Sequence, residues 1–264
     1  KETKEAIDMS LEMLDIESLD TGRYHAMIIQ DPMEKQNIRG FFRLKYAYSQ
    51  SMRDRDYHNF ESRILLNLTS LIEAMNQYTY IKTSFEGRIS FDSWELLQTP
   101  WIFIQIGPYP FEMSRTDKGS LGRYLMSGGF VFCEAHDKVA GGALREPACL
   151  HNAVYMLTSA IEEQGLKLGR DWTFDRVPDD HPVYHCFFDF NDGPPMGGDF
   201  MKGKAGLSPT PYLKGVFLGG RMVVLESDKW LSNVWSDWSD PHLFGSYASL
   251  DPTRGLQFGV NILV

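Results

Sequence analysis

The stretch Trp101-Ile-Phe-Ile-Gln-Ile106 narrows the choice of folds more than any other feature of the chain. It is almost wholly apolar and does not alternate, which is the pattern of a strand buried on both faces inside a parallel sheet. Gly107-Pro108 ends it. Ser114, with Asp117 three residues on, predicts the N-cap and first turn of a helix that reaches Met126. Gly128-Gly129 closes that helix, and Phe130 to Cys133 returns as a strand. Strand, helix and strand joined by short links form a βαβ unit, which commits the chain to the α/β class.

The other elements follow the same logic. Tyr24 to Ile29 reads as a strand ended by Asp31-Pro32, and Gly40 to Tyr48 as a second, with Phe42, Leu44, Tyr46 and Tyr48 alternating against Arg43, Lys45 and Ala47. Ile64, Leu65, Leu68, Leu71, Ile72 and Met75 make one continuous helical face. A short β unit is expected near Tyr80 to Thr83, and a helix from about Pro147 to Gln164 with Gly165 past its end. Trp172–Val177 and Val183–Phe188 read as a pair of strands around Pro178 to Pro182. The Gly- and Pro-rich stretch Asp192 to Pro211 reads as an irregular loop. Val216–Leu218 and Met222–Leu225, joined by Gly219-Gly220, form a hairpin on a turn built for positive φ. Residues 256–264 are a strand or a helix.

Residues 1–22 read as an acidic amphipathic arm whose stripe of Ile7, Leu11 and Leu14 needs a surface, on this domain or on a partner. Residues 23–264 read as a single domain. The chain opens on Lys1 rather than Met, so a segment removed upstream is expected.

With 26 basic against 35 acidic residues the net charge is −9, and no basic run stands out. Neither nucleic acid nor an anionic membrane surface is an expected partner. No apolar run approaches the roughly 20 residues that would span a bilayer. Cys133, Cys149 and Cys186 fit neither a disulfide framework nor a zinc ribbon. They read as buried thiols, with a Cys149–Cys186 bridge left open. Gly193-Pro-Pro-Met-Gly-Gly198 lacks the strand-before, helix-after context of a phosphate cradle, so no cofactor is expected, and no metal.

In open α/β sheets ligands sit beyond the carboxyl ends of the strands. This places a pocket at Tyr109, Asp137 and Asp228, with the His181/His185 loop closing over it. Cys133 stands where a nucleophile elbow would put its thiol, yet Val131 and Ala135 occupy positions that need small residues, and a last apolar residue of the sheet is the competing reading. Glu134, His136 and Asp137 read either as a polar loop or as groups sharing a metal or a proton. Trp230, Trp235 and Trp238, with Phe244 and Tyr247, read as core or as an aromatic surface for a sugar or a protein partner.

The ordered series Trp101–Gly107, the Ser114 helix, Gly128 to Phe132, Asp180 to Tyr184, Gly215 to Arg221 with Val223-Val224, and Gly259-Val-Asn-Ile262 resembles the bacterial family catalogued as domain of unknown function 4159. The resemblance covers about residues 40–264. It implies kinship with the class I glutamine amidotransferase-like superfamily and a flavodoxin-like three-layer α/β/α sandwich with a mostly parallel sheet and an added hairpin. It also implies an exported or envelope-associated, periplasmic setting, with a cytoplasmic one as the alternative, and no established activity. True amidotransferases carry a Gly-x-Cys-x-Gly elbow and a late His-x-Glu pair. Here Val131 and Ala135 stand at the elbow, and His242 is followed two residues on by Phe244. The expected function is a non-catalytic, protein-binding or structural subunit of a larger assembly. The alternatives are a hydrolase or metal-assisted enzyme at the strand ends and a carbohydrate-binding module using the Trp-rich tail.

Overall fold

The computed structural model describes residues 25–53, 58–107, 111–135, 148–195, 197, 211–236 and 253–264. The arm with Ile7, Leu11 and Leu14 lies outside the described residues, as do Tyr109, His136, Asp137 and Trp238.

Among the described residues the strands are β1 (Ala26–Gln30), β2 (Ile38–Tyr48), β3 (Tyr80–Ser90), β4 (Trp101–Ile106), β5 (Phe130–Ala135), β6 (Trp172–Arg176), β7 (Lys214–Leu218) and β8 (Arg221–Ser227). The helices are α1 (Gln50–Arg53), α2 (His58–Tyr78), α3 (Arg115–Met126), α4 (Ala148–Glu162) and α5 (Thr253–Leu263). All eight strands join one sheet, in the order β1-β2-β4-β5-β8-β7-β6, with β3 on the other edge of β2. The centre is parallel: β2 with β3 and β4, β4 with β5, and β5 with β8. β1 and the β6–β7–β8 ribbon add antiparallel margins.

Helices cover both faces. α2 and α5 pack Leu68, Leu71, Met75 and Phe258 onto Tyr46, Phe103 and Phe132. α3 and α4 pack Leu121, Leu125, Met156 and Leu157 onto Ile104, Val131 and Val224. The run from Trp101 to Ile106 is therefore apolar because alternate residues feed two separate cores. On the α2/α5 face Tyr46, Phe103, Phe132 and Leu225 stand in one register row across β2, β4, β5 and β8.

Ser114 caps α3 as its spacing predicts, its hydroxyl accepting from the Asp117 N–H at 3.0 Å. The β7–β8 turn has Gly219 and Gly220 at φ +56° and +83°, the positive values a tight hairpin needs. The final segment is the helix α5. Two expectations change. β3 is a full 11-residue strand rather than a short unit, because a polar edge strand hides its alternation among Lys82, Ser84, Glu86 and Arg88. Val183–Phe188 is no strand; a 3₁₀ turn at Pro182–Tyr184 replaces it. Both His185 and Cys186 donate their N–H to the Pro182 carbonyl, and the Asn261 side chain takes over the pairing a ladder would give, bonding Phe188 N–H and the carbonyls of Val183 and Phe188.

β2 and β4 meet only at Lys45↔Ile102 and Tyr46↔Phe103. Beyond that point β2 is followed by α1, whose Met52 lies in the α3/α4 core, and then by α2 on the opposite face, while β4 is followed by α3. The two strands part at their carboxyl ends.

Candidate functional site

The carboxyl ends of β4, β5 and β8 carry a second row above the apolar one. Gln105, Glu134 and Ser227 are register neighbours, all buried, on the α2/α5 face. The 3₁₀ turn Leu231–Val234 closes over them. Glu134 is fully buried, and its carboxylate accepts from the Ser232 backbone N–H at 3.0 and 3.2 Å and from the Ser232 hydroxyl. Ser227 accepts from the Lys229 N–H at 3.1 Å, and the Lys229 ammonium pairs with Asp228 at 2.6 Å. These contacts tie the turn to the sheet.

Cys133 points the other way. Neighbouring residues of a strand face opposite sides, so its thiol lies in the α3/α4 core, at 0% exposure, in register with Ile104 and Glu226. Burial pushes the thiol well above its ordinary value, and the charges of Glu226 and Glu134 push it further. It sits inside regular β5 backbone rather than at a sharp bend. The elbow reading is thereby corrected: the crowded position holds a core residue. Cys133 is expected to resist iodoacetamide in native buffer for as long as the fold persists, and to react at once in denaturant; peptide mass spectrometry reads both. Native labelling at the rate of a free thiol would contradict this placement.

Glu226, on the same face as Cys133, is 2% exposed, and its Oε1 has no hydrogen-bond partner. Burial raises its carboxyl to about 8, the Asp228 charge adding to the effect and Lys214 and Lys229 opposing it.

The histidines do not close over this end of the sheet. His181 lies with Trp101, Phe130 and Met222, at the amino-terminal starts of β4, β5 and β8, where an apolar cavity of about 290 Å³ opens. Its Nδ1 accepts from the Val183 N–H at 3.2 Å, and partial burial holds its imidazole below the ordinary range, with Asp180 pulling it back. His185 Nε2 meets the Asp179 carbonyl at 2.8 Å and its Nδ1 faces Asp189 at 3.4 Å. Pro182 turns this segment back across the α2/α5 face, which carries both rings away from Asp228.

For Trp230 and Trp235 the core reading holds; Trp238, Phe244 and Tyr247 lie outside the described residues. Trp230 and Trp235 are each 1% exposed. Trp235 packs on Phe103 and Phe132 with ring centroids 6.5 and 5.8 Å away, and its N–H reaches the Gly255 carbonyl at 3.0 Å. Both side chains are consumed by the core.

Sequence reasoning missed Ser232 as the partner of Glu134. It also missed Ser49, whose hydroxyl donates to Asp117 and lies 2.8 Å from that of Ser51 where β2 and β4 part. The capping position of Asp117 was visible; the direction of its side chain was not. Among the described residues no group of three or more His, Cys, Asp or Glu is placed to hold a metal, and no helix is long and apolar enough to cross a membrane.

Taken together, sheet and strand ends define a mixed α/β protein with a mostly parallel centre, whose carboxyl-end acids are built into its own packing. The family described as Domain of unknown function (DUF4159) matches residues 41–264, and the chain belongs to it. Comparison with curated proteins finds no match.

Proposed function

We propose that this chain is a non-catalytic α/β module, flavodoxin-like in its layering and kin to the glutamine amidotransferase-like superfamily, that binds a protein partner within a larger, envelope-associated assembly. One observation carries the reading: the groups a hydrolase would need at β5 are spent on structure, Cys133 in the α3/α4 core and Glu134 on Ser232. The burial of Trp230 and Trp235 takes two of the five rings away from the carbohydrate-binding alternative.

A surface for a partner is available elsewhere. A groove of about 460 Å³ between α2, α5 and the Phe187-Phe188 turn is lined by Ala74, Tyr78, Leu256 and Val260. Tyr78 at its rim is 66% exposed. An exposed aromatic beside an apolar groove is the kind of anchor that interfaces use. Crosslinking and size-exclusion of the chain in native envelope extract should yield a discrete larger species. Tyr78→Glu, which leaves the core untouched, should lower its yield at least tenfold. A strictly monomeric protein, or a complex indifferent to Tyr78→Glu, would count against the proposal.

A further inference from the structure

The cavity beside His181, at the amino-terminal starts of β4, β5 and β8, shares no lining residue with the groove at Tyr78. Phe42, Trp101, Phe130, Val183, Met222 and Ile262 give it apolar walls. Protein interiors close-pack, and a hollow of about 290 Å³ forfeits the contacts its lining would otherwise make. This one is held open. The Asn261 side chain of α5 donates to the carbonyls of Val183 and Phe188 at 3.0 and 2.8 Å and accepts from the Phe188 N–H at 2.8 Å. Those bonds brace helix against turn on one side, and the parallel strands form the other. A preformed apolar hollow with a few polar groups is the general form of a small-molecule site.

The polar side chains of the wall are unevenly committed. Asn261 is spent on the brace. The Cys186 thiol donates to the Asn261 carbonyl at 3.3 Å, and burial pushes it up to about 11, so it stays protonated. His181 takes the Val183 N–H on its Nδ1, and desolvation, opposed by the Asp180 charge, keeps the ring neutral at neutral pH. Its one proton therefore sits on Nε2. Trp101 adds a second N–H, its Nε1 buried without a hydrogen-bond partner among the described residues.

A cavity of about 150 Å³ takes up benzene, so roughly twice that volume takes about ten carbon atoms. A charged group would shed its hydration there against neutral walls. A pure hydrocarbon would leave the N–H donors unanswered. We infer that this cavity binds an uncharged, largely apolar molecule of about ten carbons whose carbonyl oxygen accepts from His181 Nε2.

The test titrates the ¹⁵N-labelled full chain with 1-tetralone, with tetralin, which has the same carbon skeleton and no oxygen, and with tetralin-1-carboxylate, which adds a charge. 1-Tetralone should shift the amide signals of Phe130, Val183 and Cys186 saturably. Tetralin should bind about three- to tenfold more weakly, the worth of one hydrogen bond. The carboxylate should bind at least tenfold more weakly. Met222→Trp, which puts an indole into the hollow, should abolish the shifts with both neutral probes. His181→Phe removes the donor and also the cap on the 3₁₀ turn, so tetralin is the internal reference: it should still bind, and the advantage of 1-tetralone over it should vanish. The inference is overturned by the absence of a saturable shift with 1-tetralone, or by a response to tetralin or the carboxylate equal to it. Binding retained in Met222→Trp, or a His181→Phe effect that falls equally on the two neutral probes, would overturn it as well.

Discussion

Glu226→Gln is expected to abolish most of the loss of stability that the protein suffers as pH rises from about 5 to about 8. The carboxyl of Glu226 is buried at the end of β8, with one oxygen unpartnered, and its value is raised from 4.5 to about 8. Between those two values the folded chain keeps the proton while the unfolded chain has lost it. The unfolded state therefore binds fewer protons, and stability falls with rising pH by about 1.4 kcal/mol per unit. Below that window both states hold the proton; above it neither does, and the slope ends. The whole effect is on the order of a few kcal/mol. Glutamine keeps the shape and cannot ionise. Urea midpoints of wild type and variant should accordingly agree near the acid end of the window, and the variant should lead by about 1 M at the alkaline end, given ordinary slopes of unfolding free energy against urea. Comparing the two proteins cancels other titrating groups, including His181, whose depressed value acts in the opposite sense. A pair of parallel pH profiles would mean that Glu226 is ionised and compensated within the fold.

Much of this architecture is local in origin and so was legible. The run from Trp101 to Ile106, the Ser114 cap, the stripe on α2 and the Gly219-Gly220 turn each encode their element within a few residues, and each element forms there. Facing was legible too, though easily overlooked. Strand alternation alone sends Cys133 and Glu134 to opposite sides of the sheet, so the pair could never converge on one substrate. What the sequence hides is set by distant partners. Val183–Phe188 is apolar enough for a strand, but Asn261, from the far end of the chain, satisfies its backbone. Asp117 carries the spacing of a capping acid, yet Ser49 on another element claims its carboxylate. An aromatic cluster cannot announce whether it faces water, since rings suit a core and an interface equally.

That last ambiguity makes Trp235→Ala the decisive core substitution. The ring is 1% exposed, rests on Phe103 and Phe132, and donates to the Gly255 carbonyl. Helix α5 comes close over it: a Cβ placed on Gly259 would stand 3.0 Å from the Trp235 Nε1 and 2.6 Å from Leu71 Cδ1. With α5 already held at that distance by Leu71, the surroundings have little room to collapse into the space the indole leaves. The loss should be near the upper part of the range for large-to-small changes, about 3–5 kcal/mol. Trp235→Phe should recover part of it, because the tilted ring contact with Phe132 survives while the bond to Gly255 does not. Trp94, at 71% exposure, gives the contrast; Trp94→Ala should stay within about 0.5 kcal/mol of wild type. Urea unfolding of the three variants separates the possibilities. If Trp235→Ala matched Trp94→Ala in stability, the ring would be a surface group after all, and the turn Leu231–Val234, with the Glu134–Ser232 contact beneath it, would lose its anchor to the sheet.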